Sequence, residues 1–468
     1  MLKQHRLLFF VCLFGFSGTA LAFNTQNPRW EAPQHEMHKQ HKPYRPLHAP
    51  PESLPPRPNA GRHASGVLAP RALASVATII VVGVLAEWVA WTTGLSSTLL
   101  LFAAGLLAGP ALGWLLPDRL FGNLLVPAIA LGTAVLLFRA GLSLQLRSLR
   151  LPGPFLSPTL LAVWALAAGL AALILRDSAP TALTLAAIVV MTLPPVLFSL
   201  RQDPDDGTKH SGYDAPALEC AGAFLAIVVF EAVLGGGGRA AAAPALRGMG
   251  SGLLAGCLGG WLAARLTSQL LQSPAVPANF QAPLTYAVLI AAFTLASFAA
   301  EESGLLTAVV MGGCLARNER NDITNLRRSV SGTSLLLAPV LLLVVAARLH
   351  GSDIMLAGIP ALLFAAAVGG LLRPAGVLLS TATLQLSWRD RGWLTVMSPN
   401  GVAAAALATI LGLRLWEIGY GDAAAMPVAV ILVLVLAHSV AAVAALLTRE
   451  RETATATAAT SSSDTART

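Results

Sequence analysis

Apolar positions in this chain come in long unbroken runs, unlike the alternating or one-sided patterns of a water-soluble protein. From residue 71 onward, stretches rich in Leu, Val and Ala are separated by short connections carrying Arg, Asp, Pro or Gly. A helix rises about 1.5 Å per residue, so a run of roughly 17 to 25 residues matches the apolar core of a bilayer, about 30 Å thick. About thirteen such spans are predicted on that criterion. They centre near residues 82, 105, 133, 167, 189, 226, 256, 291, 309, 340, 364, 402 and 437, and only Glu301-Glu302-Ser303-Gly304 separates the eighth from the ninth. The predicted fold class is therefore an all-α polytopic membrane protein.

The two ends read differently. Residues 1–22 have a basic start (Lys3, His5, Arg6), an apolar run from Leu7 to Phe16 and the small-residue close Thr19-Ala20-Leu21-Ala22. That is the pattern of a secretory signal peptide, and it places the residues beyond it outside the cytoplasm. Residues 23–70 are polar, Pro-rich and His-rich, too poor in aliphatics to build a core, and are expected to form a disordered periplasmic leader. His35, His38, His41 and His48 offer imidazoles to zinc or copper, but a ligand cluster without a fold is read first as a solvated tail. Residues 71–448 make the transmembrane domain, and the Thr/Ser/Ala-rich residues 449–468 are expected to be a disordered cytoplasmic tail.

Composition agrees with the pattern: 55% of residues are hydrophobic, 12% are charged and the mean hydropathy is +0.68. A net charge of +8 would suit a nucleic-acid binder, but the Lys and Arg are scattered through short loops, where they set topology, and no nucleic-acid partner is read. With the amino terminus outside, the cytoplasmic connections hold Arg147 and Arg150, Arg201 and Lys209, Arg317 to Arg328, Arg389 and Arg391, and Arg449 and Arg451. The outer loops carry single arginines such as Arg119, Arg176, Arg348 and Arg414. The positive-inside rule thus gives an outer amino terminus and an inner carboxyl terminus. Cys12 falls in the signal peptide, and Cys220, Cys257 and Cys314 sit in separate apolar runs as packing residues.

Two spans are interrupted alike, the fifth by Thr192-Leu193-Pro194-Pro195 and the twelfth by Ser398-Pro399-Asn400-Gly401. If spans 1 to 6 and 8 to 13 are inverted repeats joined by the seventh, the two breaks correspond. Paired broken helices point to an ion site at the midplane, because unwound backbone and half-helix ends can coordinate an ion there. Independent proline kinks are the plain alternative.

Few ionisable residues lie well inside the spans, where each is costly unless paired or functional. Asp214 and Glu219 stand at the cytoplasmic half of the sixth span, set apart by roughly 140° and 7.5 Å on a helix, and so should have different partners. Glu219, the deeper, is flanked by apolar and small residues and suits a group that alternately binds a proton and a cation; a structural carboxylate is the alternative. Arg373, ahead of Pro374, is expected either to snorkel to the interface or to pair with Asp214, the pair being the favoured reading. Arg139 is open between neutralising Glu219, snorkelling inward and capping a half-helix end. Glu87, Glu231, Glu301 and Glu302 are expected at the membrane interface.

In order and spacing these segments resemble the sodium/hydrogen exchanger family of monovalent cation:proton antiporters, bacterial type. The runs that carry the resemblance are Leu85-Ala86-Glu87-Trp88, Ala104-Gly105-Leu106-Leu107-Ala108-Gly109-Pro110, Phe138-Arg139-Ala140-Gly141-Leu142, Thr192-Leu193-Pro194, Ser303-Gly304-Leu305-Leu306-Thr307, Arg373-Pro374 and Pro399-Asn400-Gly401-Val402. The resemblance implies an elevator-type antiporter fold of thirteen spans in two inverted repeats with crossed broken helices, a homodimer, and a role in pH homeostasis. Protons and Na⁺ or K⁺ would compete for one carboxylate, with no cofactor, no resident metal and no enzymatic chemistry. It places Glu219 on the family's ion-binding aspartate, Asp214 on the glutamate that pairs with the arginine before proline, here Arg373, and Thr192 on the ligating threonine of the fifth span.

The departures are equally specific. The ion-binding aspartate is a glutamate, the usual glutamate of the third span is Arg139, and the usual arginine of the twelfth is Asn400. One acid has become a base and one base has become neutral, so Arg139 is expected to supply the charge lost at Asn400. The function read from the sequence is a secondary antiporter. The rival is a transport-deficient homologue, a pH sensor or membrane scaffold in which Glu219 is locked to Arg139.

Overall fold

The computed structural model describes residues 70–93, 95–144, 158–194, 215–236, 242–273, 276–317, 324–349, 351–382, 387–397 and 401–465. The expected signal peptide, nearly all of the His-rich leader, and Pro195, Asp214, Pro399 and Asn400 lie outside the described residues.

Among the described residues every regular element is a helix, as lipid requires: a backbone there must satisfy its own hydrogen bonds. In chain order they are α1 (Pro70–Thr93), α2 (Ser97–Leu106), α3 (Pro117–Phe121), α4 (Leu125–Ser143), α5 (Pro158–Leu170), α6 (Ala179–Val190), α7 (Ala215–Gly236) and α8 (Ala242–Gln272). The second part of the chain gives α9 (Ala278–Ala299), α10 (Ser303–Arg317), α11 (Thr324–Arg348), α12 (Gly351–Ala367), α13 (Arg373–Ser380), α14 (Trp388–Val396), α15 (Val402–Glu417) and α16 (Met426–Thr465). Each predicted centre falls in one of these helices. Among the described residues eight helices are long and apolar enough to cross a membrane, and α2, α6 and α10 are shorter apolar ones. The chain is a multi-pass membrane protein. Its lipid-facing surface is apolar, with Phe298 85% and Met355 85% exposed, an inversion that only a bilayer tolerates on this scale.

The core is held by small residues that let backbones touch, the usual device where the solvent is itself apolar. Helix α10 packs against both α4 and α8. A Cβ added at Gly312 of α10 would stand 2.4 Å from the Phe138 carbonyl of α4, and one at Gly141 would stand 2.5 Å from the Val309 carbonyl. On the other side of α10, Gly260 of α8 faces the Thr307 carbonyl, and the Thr307 hydroxyl donates to the Gly256 carbonyl at 3.3 Å. A second group brings α1 and α2 onto α11, where Gly105 and Gly109 lie on Ala346 and Ala347.

Helices α12 and α13 are joined by a π-turn, Val368–Leu372, immediately before Arg373-Pro374. Pro374 has no N–H to donate and its ring crowds the carbonyl of Gly370, so the ladder opens there. That opening sets the register at which Arg373 enters the bundle.

At the carboxyl end the structure differs from the expected disordered tail, because α16 continues to Thr465. No Gly or Pro occurs between Pro427 and Thr465, so nothing in the sequence breaks a helix already nucleated in the preceding apolar run.

Gly312→Leu should prevent assembly of the monodisperse fold, since the side chain meets the α4 backbone at Phe138, Gly141 and Leu142, whereas Gly169→Ala, with open space around it, should be silent. Fluorescence-detected size exclusion with a heating series compares them. Equal behaviour of the two variants would refute the contact.

Candidate ion site

Helix α6 stops inside the bundle. Its last turn tightens, with the amides of Met191, Thr192 and Leu193 donating to Ile188, Val189 and Val190 at 3.0, 2.9 and 3.2 Å, and Pro194 then ends the ladder. Thr192, Leu193 and Pro194 are all buried. The carbonyls at this end have no helical partner and carry the negative pole of the helix. Arg373, only 3% exposed, meets that pole: its Nη2 donates to the Thr192 carbonyl. The Thr192 hydroxyl donates to the Val189 carbonyl at 2.7 Å, which leaves lone pairs on both Thr192 oxygens for a further ligand.

The second break is built the other way round. Gly401 has φ +66°, a left-handed conformation that a side chain would strain, and a Cβ there would also stand 2.2 Å from Leu434 Cδ2. Helix α15 begins at Val402, is buried over its first two turns, and packs on α4, α6 and α7. Its amino-terminal N–H groups form the positive pole. A negative helix end on α6 and a positive one on α15 thus share one bundle core.

Glu219 stands in the second turn of α7, half-buried between the fully buried Leu218 and Cys220. One turn on, Gly222 brings α7 against the end of α6, where a Cβ would stand 2.3 Å from Met191 Cγ. Arg139 of α4, itself half-buried, acts on Glu219 electrostatically. The two are not in ionic contact: among the described residues no carboxylate lies within 4 Å of Arg139. The structure therefore brings Arg373 onto Thr192, with Leu193 and Pro194 following it in the chain, and packs α7, which carries Glu219, against the end of α6, with Arg139 acting on Glu219 electrostatically. Asp214, the partner expected for Arg373, is outside the described residues, as are Pro399 and Asn400.

Sequence reasoning passed over His438. It is 5% exposed on α16, its Nδ1 lies 2.8 Å from the Leu434 carbonyl, and it is within electrostatic range of Arg373. An ionisable ring in the middle of the last apolar run was the available signal.

The interface reading is corrected for two glutamates. Glu231 and Glu302 are 4% and 5% exposed. The Glu302 amide donates to Glu231 Oε1 at 3.2 Å, and Arg414 Nε of α15 lies 3.4 Å from Glu302 Oε1. The short turn after α9 folds inward over α7, and Gly252 of α8 leaves room for the Glu231 side chain. Burial pushes the Glu302 carboxyl up to about 7; Arg414 opposes the shift, and Glu231 and Glu301 add to it. A second polar junction lies at the start of α6, where the Ser178 amide donates to Asp422 and burial, aided by Asp422, raises Asp177 to about 7.

This architecture is the sodium/proton antiporter fold. The chain is similar to the sodium proton antiporter MjNhaP1 from Methanocaldococcus jannaschii at pH 8, with a TM-score of 0.63 and 18% identity over 79% of this chain and 98% of that one. The electron-microscopy structure of MjNhaP1 gives 0.63 and 19% over 80% and 96%. No family model and no curated protein matches the sequence. At such identity the likeness establishes the fold alone.

Because Glu302 holds its proton more tightly folded than unfolded, its stabilising contribution is complete below the ordinary carboxylate range and is lost as pH rises through about 7. Glu302→Gln should remove that loss. Between about pH 5 and 8 the thermal midpoint of the wild type should fall a few degrees more than that of the variant, and parallel curves would contradict the assignment.

Proposed function

We propose that the protein is a secondary antiporter that exchanges protons for a monovalent cation, Na⁺ or K⁺, across the bacterial inner membrane. What carries the reading is Glu219, a half-buried carboxylate set beside the broken end of α6 in the fold of a sodium proton antiporter. The carboxylate would take either a proton or a cation, and the Thr192 oxygens, with their remaining lone pairs, would complete the cation's shell. Arg373 neutralises the helix end, so the site need not attract a second cation to do so. Asp214 and Asn400 flank this centre in the proposal, with Pro399 and Gly401 opening the second half-helix.

The topology is an outer amino terminus after a cleaved signal peptide, thirteen spans, an inner carboxyl terminus and a homodimer, moving in elevator fashion. Coupling arises from competition: whichever ligand occupies Glu219 on one side must leave before the other binds. No covalent chemistry and no cofactor enter.

Arg139 bears on affinity. A cationic group acting on the carboxylate weakens its hold on a cation, so this site should work at high cation concentration.

In proteoliposomes, cation-driven proton flux should be present in the wild type, abolished in Glu219→Gln and retained in part by Glu219→Asp, with a series of Na⁺, K⁺ and Li⁺ naming the substrate. Absence of wild-type flux above empty vesicles would leave the sensor or scaffold reading. Arg139→Gln should lower the apparent KM for the cation about tenfold with a smaller effect on the maximal rate. A raised KM would instead make Arg139 a structural support of the site.

A further inference from the structure

Helix α14 comes directly after the candidate span Ala357–Ser380, so it lies where that span leaves the bilayer core. Its sequence, Trp388-Arg389-Asp390-Arg391-Gly392-Trp393-Leu394-Thr395-Val396, is not that of a membrane-crossing segment. One residue pins it down: Leu394 is 4% exposed and packs on Val377 of α13. The opposite side is open, with Trp388 78%, Trp393 48% and the adjoining Met397 40% exposed.

The charges on α14 are arranged unevenly. Its acid, Asp390, is turned back on the helix start, accepting from the Ser387 hydroxyl at 2.7 Å while its amide donates to the same hydroxyl at 3.2 Å. Arg391 is held in place, donating to the Thr381 carbonyl at 3.3 Å with its guanidinium 5.3 Å from the centre of the Trp388 ring. Arg389 is exposed. The helix thus offers the exposed guanidinium of Arg389, with the engaged Arg391 adding its charge behind it, beside two open indole rings, while its carboxylate is occupied. Tryptophan prefers the headgroup level of a bilayer, and arginine there is drawn to anionic lipid.

We propose that α14 is a docking surface for the phosphate of an anionic phospholipid, held by Arg389 and Arg391, with Trp388, Trp393 and Met397 lying against the lipid's glycerol and upper acyl region. A free phosphate ion would satisfy the arginines but leave the indoles and Met397 uncovered; a lipid covers both. The site has a mechanical consequence. Arg373 arrives on α13 and the second broken helix starts at Gly401, so α14 is the segment between the two, and a bound headgroup anchors it to the membrane surface. The proposal depends on the membrane reading and not on transport.

The test uses the full chain with p-benzoylphenylalanine in place of Trp393, which leaves the stacked Trp388 and Arg391 intact. The protein is reconstituted in vesicles of equal phosphatidylglycerol and phosphatidylcholine, irradiated, and the adducts are weighed. Phosphatidylglycerol adducts should exceed phosphatidylcholine adducts about fivefold, and Arg389→Glu, or Arg389→Gln if the former does not assemble, should bring the ratio close to one. Equal adducts in the protein with Arg389 intact, or cross-links to protein only, overturn the proposal. So does loss of the preference when inorganic phosphate is added, which would mark a free-anion site instead.

Discussion

A helix that ends inside a membrane protein exposes carbonyl oxygens where no water can reach them, and much of this structure answers that one difficulty. The buried end is α6. Its final carbonyl partner is the guanidinium of Arg373, delivered from the far half of the chain across 181 positions. Getting an arginine to that depth is itself expensive, and the π-turn before Pro374 and the full burial of α13's inner face are the geometry that achieves it. Each unfavourable group is thereby eased by the other, one guanidinium N–H meeting the Thr192 carbonyl.

The same constraint explains the glycine-rich contacts. For a terminus of one helix to reach the side chain of another, helices must approach more closely than Leu or Val permit. Gly222 brings α7 to the last turn of α6, and Gly141 and Gly312 bring α4 to α10. Because lipid gives no hydrophobic reward for helix association, such contacts and interhelical hydrogen bonds like that from Thr307 to Gly256 carry the packing. The proposed ion site thus rests on close packing around the end of α6 and the start of α15, with Glu219 on α7 where that helix meets α4 and α6.

How much of this was legible in the sequence depends on the kind of signal. Span positions derive from length and apolarity alone, which local residues fully determine. The break at Thr192-Leu193-Pro194 was legible because proline acts on its own backbone. One partner of Arg373, the Thr192 carbonyl, was not legible, because a carbonyl at a helix end has no sequence signature; the expected partner Asp214 lies outside the described residues. Glu231 and Glu302 were misplaced for a related reason. Position in a span suggests depth, but their burial comes from a turn folding inward over Gly252, a tertiary event that no local pattern records. His438 had a signal, an ionisable ring in an apolar run, and only its partner was unreadable.

The distribution of charge along α7 links these pieces. Glu219 and Glu231 are separated by about 18 Å on one continuous helix, one beside Arg139 and the broken helices, the other in the junction with Glu302 and Arg414. Arg414 lies near the far end of α15, the helix whose start is the second break at Gly401. Helices α7 and α15 are therefore tied near one end of each by a charged junction, and α15 also packs on α7, α6 and α4. A helix is stiff over this distance, so α7 holds the junction and the proposed ion site at a fixed separation.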